Sequence, residues 1–174
     1  MTINNKSVEY NLHEFLGEED VKEELKSLYH VFFTKSQPLS FKTKTLSDLR
    51  RKIESFFDFL IKDKRIFYAR KESKIIFFIA FDFKPETQSS LIETVHLSKS
   101  SVCGFTFAAS DHNNIFEIKR AVYDIFQFLK QKYQIQFIIG EINRERKKDK
   151  YIKTIVRIFN FQIFDNNIAL YEIP

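Results

Sequence analysis

Glu93 and His96 are two side chains in this sequence that could take a proton from an amine, since a carboxylate or imidazole titrates usefully when partly buried. They stand three apart in Leu91–Leu97, a run that reads as a strand, so they would face opposite sides of it. Two surface polar residues are the competing reading. Cys103 with His96 or His112 supplies a nucleophile and a base by type, against the alternative of a small buried thiol. Four scattered histidines and one cysteine give no metal-ligand spacing. The densest charge lies further on, where Arg144, Arg146, Lys147, Lys148, Lys150 and Lys153 meet only Glu145 and Asp149. That turn carries nearly the whole excess of a chain whose net charge is +5. It reads as a solvated connection, or as a contact for nucleic acid or an acidic partner.

Composition sets the frame for these residues. A chain of 174 residues, 44% hydrophobic, is long enough for one domain with a sizeable core and is not a disordered chain. Its 21 phenylalanines supply most of the core bulk, and they fall at core periods rather than as a nucleic-acid stacking platform. Three glycines and three prolines leave little material for a glycine-built phosphate loop. A single cysteine excludes an internal disulfide framework and fits a reducing compartment. No apolar run approaches the roughly 18 residues of a membrane span, and no signal-peptide layout opens the chain. The expected location is the cytoplasm, or a virion assembled there.

Hydrophobic period gives the helices and strands on which these side chains sit. Val8, Tyr10 and Leu12 alternate with polar residues as a short strand does. From Glu18 to Phe33 the spacing of Val21, Leu25, Leu28 and Phe32 predicts a helix, with three acids at its positive end. Thr45 and Asp48 form a capping box opening a second helix, whose stripe is Leu49, Ile53, Phe56 and Leu60. Arg65–Arg70 and Lys74–Phe83 read as a hairpin about Lys71–Ser73. The second strand is apolar on both faces, so it is central. Val102–Ala109 reads as another strand. A long helix over Ile115–Lys132 comes next, opened by Asn114 and Glu117 as a capping box. Then come a strand at Ile135–Ile142, a helix at Asp149–Phe159, and a hairpin of Gln162–Phe164 and Ile168–Ile173.

This order resembles that of the GNAT N-acetyltransferase family over nearly the whole chain. The closing plan matches best, with Phe137-Ile-Ile-Gly-Glu-Ile-Asn143, a helix, Asn160-Phe161 and the strand Asn167–Ile173. The resemblance implies an α/β (α+β) fold: a mixed, mostly antiparallel central sheet of about seven strands with helices on both faces, in a single domain over residues 1–174. It further implies acetyl-CoA held between spread fourth and fifth strands, with its diphosphate on the amides of Asn113, Asn114, Ile115 and Phe116 at the start of the third helix. The family's phosphate loop, (Arg/Gln)-x-x-Gly-x-(Gly/Ala), falls at Ser110–Phe116, which holds no glycine and no arginine, and Asp111 adds a negative charge. An alternative alignment takes Leu91–Leu97 as the fourth strand and Lys99–Gly104 as the loop. The tyrosine that acts as general acid in many members corresponds to Val156, with Tyr151 five positions earlier, and Asn160 replaces the glycine of the Gly-Phe pair.

The expectation is therefore a GNAT-like domain whose acyl-CoA site is degenerate, with no cofactor, serving as a structural or binding component of a larger assembly such as a phage virion. The alternative is an active acetyl-CoA-dependent N-acetyltransferase with Glu93 or His96 as base. Nucleic-acid contact through residues 144–153 is compatible with either.

Overall fold

The computed structural model describes residues 10–36, 45–84, 92, 93, 97, 101–110, 115–141, 157, 159–163 and 168–174. In chain order these form β1 (Asn11–Glu14), α1 (Glu19–Ser36), α2 (Leu46–Asp63), β2 (Arg65–Lys71), β3 (Lys74–Asp82), β4 (Val102–Ser110), α3 (Ile115–Tyr133), β5 (Phe137–Glu141), β6 (Gln162–Ile163) and β7 (Ile168–Glu172). The strands make one seven-stranded sheet in the order β1-β2-β3-β4-β5-β7-β6. Among the described residues only the β4–β5 pairing is parallel. This is the mixed, mostly antiparallel sheet with helices on both faces that the sequence implies.

β3 is buried on both faces, as its unbroken apolar run demands. Ile75, Phe78 and Ala80 pack with Val21, Leu25, Leu28 and Tyr29 of α1 and Phe57 and Leu60 of α2. Phe77, Ile79 and Phe81 pack with Ala121, Val122, Ile125, Phe126 and Leu129 of α3. Tyr10 and Leu12 also lie against the α3-side core, as their alternation predicts. Residues 8 and 9 lie outside the described residues.

Local chemistry sets the helix ends. Thr45 Oγ1 accepts from the Asp48 amide at 3.1 Å in an extended N-cap conformation, the N-cap half of the expected capping box, and its hydroxyl donates to Asp48 Oδ2 at 2.9 Å. α3 closes on Gln134, whose φ of 58° and amide bond to the Lys130 carbonyl at 3.1 Å make a left-handed cap. The chain then enters the slot between β4 and β7, with the Gln136 amide donating to Ser101 O and the Ile173 amide to Gln136 O, each at 2.8 Å. At the other end of α3, Glu117 lies 3.6 Å from Lys71 Nζ on the β2–β3 hairpin. Its expected capping partner Asn114 is outside the described residues.

One expected strand is corrected. Ile92 and Glu93 are helical rather than extended, and the Leu97 amide donates to Ile92 O at 3.2 Å; residues 91 and 94–96 of the expected strand lie outside the described residues. The alternative alignment that needed it as the fourth strand falls with it. Leu91, Ile92 and Val95 are spaced as well for a helical turn as for a strand, and a short apolar run does not decide between the two. Here the buried Ile92 joins Val102, Ile139, Ile168 and Leu170 in a small cluster, away from α3.

Two consequences are measurable. Phe78 is 0% exposed, so Phe78→Ala should lower unfolding free energy by about 3–5 kcal/mol in a denaturant titration. Glu14 accepts from Lys132 Nζ at 2.8 Å, Tyr133 Oη at 2.6 Å and Arg65 Nη1 at 3.3 Å. Burial pushes its carboxyl upward in pKa. The hydrogen bonds from Lys132 and Tyr133, with the charges of Lys132 and Arg65, outweigh that and hold it below the ordinary range. A depressed carboxylate stabilises the fold above its unfolded value of about 4.3 and loses that contribution as pH falls through the folded value. Glu14→Gln should therefore lower the melting temperature at pH 7, with the deficit shrinking as pH falls below about 4.3; a deficit that does not change with pH would reject the linkage.

Candidate functional site

β4 and β5 form a parallel ladder over only Val102↔Phe137, Cys103↔Ile138 and Gly104↔Ile139. Past that point they part. β5 continues through Gly140 and Glu141 paired with Ala169 and Ile168 of β7, while β4 continues to Ser110 paired, among the described residues, with β3 alone. A wedge opens between them, closed at Gly104 and Ile139 and flanked by residues 105–110. At about 3.3 Å per residue it runs on the order of 15–20 Å along β4. In a strand paired on one side, alternate residues point their N–H and C=O groups at the vacant side, where a ligand that carries amides can complete the ladder.

β4 is also bulged inside the wedge. Phe81 pairs with Phe105 and Ala80 with Phe107, which leaves Thr106 as the extra residue. A bulge kinks the strand and re-aims the side chains beyond it. Phe107 accordingly packs with the α1/α2 side, against Tyr29, Phe32, Phe33, Phe56 and Phe78. Phe105 goes elsewhere. A Cβ built on Gly140 would lie 3.6 Å from Phe105 Cβ and 3.8 Å from its Cδ1, so the ring leans across to β5 where β5 has no side chain.

At the open end, α3 begins with Ile115 and Phe116, 40% and 80% exposed. The first amides of a helix have no intrahelical acceptor and carry the positive end of its dipole, which suits an anion. Ile115 and Phe116 thus stand where the sequence places them, at the helix start just after β4. Asn113 and Asn114 lie outside the described residues, as do His96, His112, Tyr151, Val156 and the basic residues Arg144, Arg146, Lys147, Lys148, Lys150 and Lys153.

Glu93 is exposed on the helical turn whose Ile92 packs on Val102 and Ile139, beneath the wedge's closed end on the face away from α3. Cys103 is 1% exposed, and burial together with the charge of Asp82 raises its pKa. It is a buried thiol rather than a nucleophile. Asn160 has φ of 54°, the left-handed conformation its place in the Gly-Phe position calls for. The Phe161 ring after it lies 5.4 Å from that of Tyr171. Among the described residues no group of His, Cys, Asp or Glu could hold a metal, and no helix is long and apolar enough to cross a membrane. Phe105, Thr106 and Gly140 escaped the sequence reading. Of these only the glycine at the end of a buried strand gave a sign, as a place of close approach.

No family model matches the sequence, and no curated protein matches it. Solved structures do. The Campylobacter jejuni N-acetyltransferase PseH is 12% identical with a TM-score of 0.53, over 94% of this chain and 97% of that one. It has also been solved in complex with acetyl coenzyme A. FeeM, an N-acyl amino acid synthase from uncultured soil microbes, is 11% identical with a TM-score of 0.59, over 95% and 92% of the two chains. A GNAT-family acetyltransferase from Staphylococcus aureus is 12% identical with a TM-score of 0.59, over 95% and 100%. The chain has the GNAT acetyltransferase fold.

The wedge predicts a hydrogen-exchange pattern. Amides of Val102–Gly104 should be protected throughout, whereas residues 105–110 should alternate between slow exchange toward β3 and fast exchange toward the wedge. Uniform protection along β4 would mean that the edge is already paired.

Proposed function

We propose that this chain binds an acyl thioester, with acetyl-CoA as the donor, and transfers the acyl group to an amine. The wedge between β4 and β5 carries this reading. The donor's pantetheine arm is linear and has two amides, which suit the side of β4 that carries no strand among the described residues beyond Gly104, and its diphosphate would meet the positive end of the α3 dipole. In the reaction an amine nitrogen attacks the thioester carbon, the C–N bond forms, the C–S bond breaks, and the thiolate leaves to be protonated. The amine must give up a proton, and Glu93, on the turn packed against the closed end, is our candidate to receive it. His96, the other sequence candidate, is three residues on. The solved GNAT neighbours are enzymes, which supports turnover over mere occupancy.

A second reading keeps one observation of its own. The segment Ser110–Phe116 has no glycine and no arginine or lysine, and Asp111 adds negative charge where a diphosphate would lie. That favours a domain that no longer turns over and serves as a binding or structural part of an assembly, a virion included, with Arg144–Lys153 available to nucleic acid.

Calorimetry with acetyl-CoA separates the two. The enzyme reading expects a dissociation constant of about tens of micromolar or tighter, since donor affinity is matched to working concentrations. No heat of binding with millimolar acetyl-CoA would leave the structural reading.

A further inference from the structure

We infer that Phe105 is a specificity-determining residue that restricts the donor to short acyl groups. The inference rests on the acyl-thioester reading and names the class of donor within it.

Phe105 sits on an interior strand, yet it is 40% exposed. Its ring stacks on none of the described rings. A large apolar side chain left open in the middle of a covered sheet contributes little to the core. Its place in the wedge explains the exposure. Phe105 and Gly140 are the first residues past the last ladder pair, Gly104↔Ile139, so the ring stands at the closed end. Gly140 is two residues after Ile138, and Ile138 packs into the α3-side core, so the face of β5 that the ring covers is the one toward α3. A thioester arm entering from the start of α3 and running along β4 would end at this ring.

Gly140 makes the arrangement possible. Its missing side chain gives the ring room against β5, and a methyl there would only reach ordinary contact with Phe105, at 3.6 Å. A branched side chain would push the ring into the wedge. With the ring in place the closed end is walled off by Phe105, and a longer acyl chain must displace it. Apolar pockets discriminate by roughly tenfold or more per methylene when the wall does not yield.

The test is calorimetry of the full chain with CoA, acetyl-CoA, butyryl-CoA and octanoyl-CoA, each variant first checked by thermal melting. The parent should bind acetyl-CoA at least tenfold more tightly than octanoyl-CoA. Phe105→Ala should shift that ratio toward octanoyl-CoA by tenfold or more. Gly140→Val, whose branched side chain pushes the ring into the wedge, should shift it the other way against butyryl-CoA, and it keeps the proposal falsifiable if Phe105→Ala does not fold. If acetyl-CoA binds but the chain-length order is the same in parent and variants, Phe105 does not set specificity and the donor site still stands. If the parent binds none of the four, both the donor site and the role of Phe105 are rejected.

Discussion

Burial of β3 on both faces is the constraint from which the architecture follows. A strand that presents apolar residues to both sides needs two helical layers, and α1 with α2 on one side and α3 on the other supply them. The far end of β3 is tied down by charge. Lys64, the residue capping α2, pairs with Asp82 at 2.6 Å with side chains 7% and 8% exposed, and Asp82 also accepts from the Lys84 amide at 2.8 Å. Removing two charges from water is costly, so such a pair fixes geometry more than it adds net stability. It locks the end of β3 to the end of α2, next to the stretch where β4 begins.

With β3 so held, β4 can leave β5 without coming loose. From Gly104 to Ser110 it stays paired with β3 on one side, apart from the bulged Thr106, and the helices cover its neighbours, so the loss of β5 as a partner is tolerated. β5 is anchored independently through five pairs with β7. The two halves of the sheet are therefore each complete, joined over three residue pairs, and the opening between them belongs to the backbone path rather than to a missing side chain. The bulge at Thr106 then divides the phenylalanines. In a regular strand Phe105 and Phe107 would share a face; here Phe107 packs into the aromatic group under α1 and α2, and Phe105 is turned to β5.

Much of this is legible in residue periods. The double-sided run of β3, the Thr45 capping box, the stripe of α3 and the turn at Glu72, with φ of 56°, all come from side-chain chemistry that acts locally. The site is less legible because its defining event is not local. Whether β4 keeps or loses its second partner depends on where β5 goes, which no residue of β4 specifies by itself. Leu91–Leu97 misleads for a related reason, since its apolar spacing fits a turn of helix and the cluster around Ile139 decides the outcome. Phe105 is one of 21 phenylalanines, and what sets it apart among the described ones is exposure on an interior strand, which no residue period shows.

The sheet's margins have a consequence for how the chain behaves among its own copies. Ile75–Phe81 is an apolar, β-prone stretch that would template intermolecular strand pairing if it lay at a rim. Among the described residues it is third in from one side, behind a four-residue β1, while the other side ends in a β6 of two residues. Rims so short give an incoming strand little to register against, so the sticky sequence is hazardous only before the sheet has assembled.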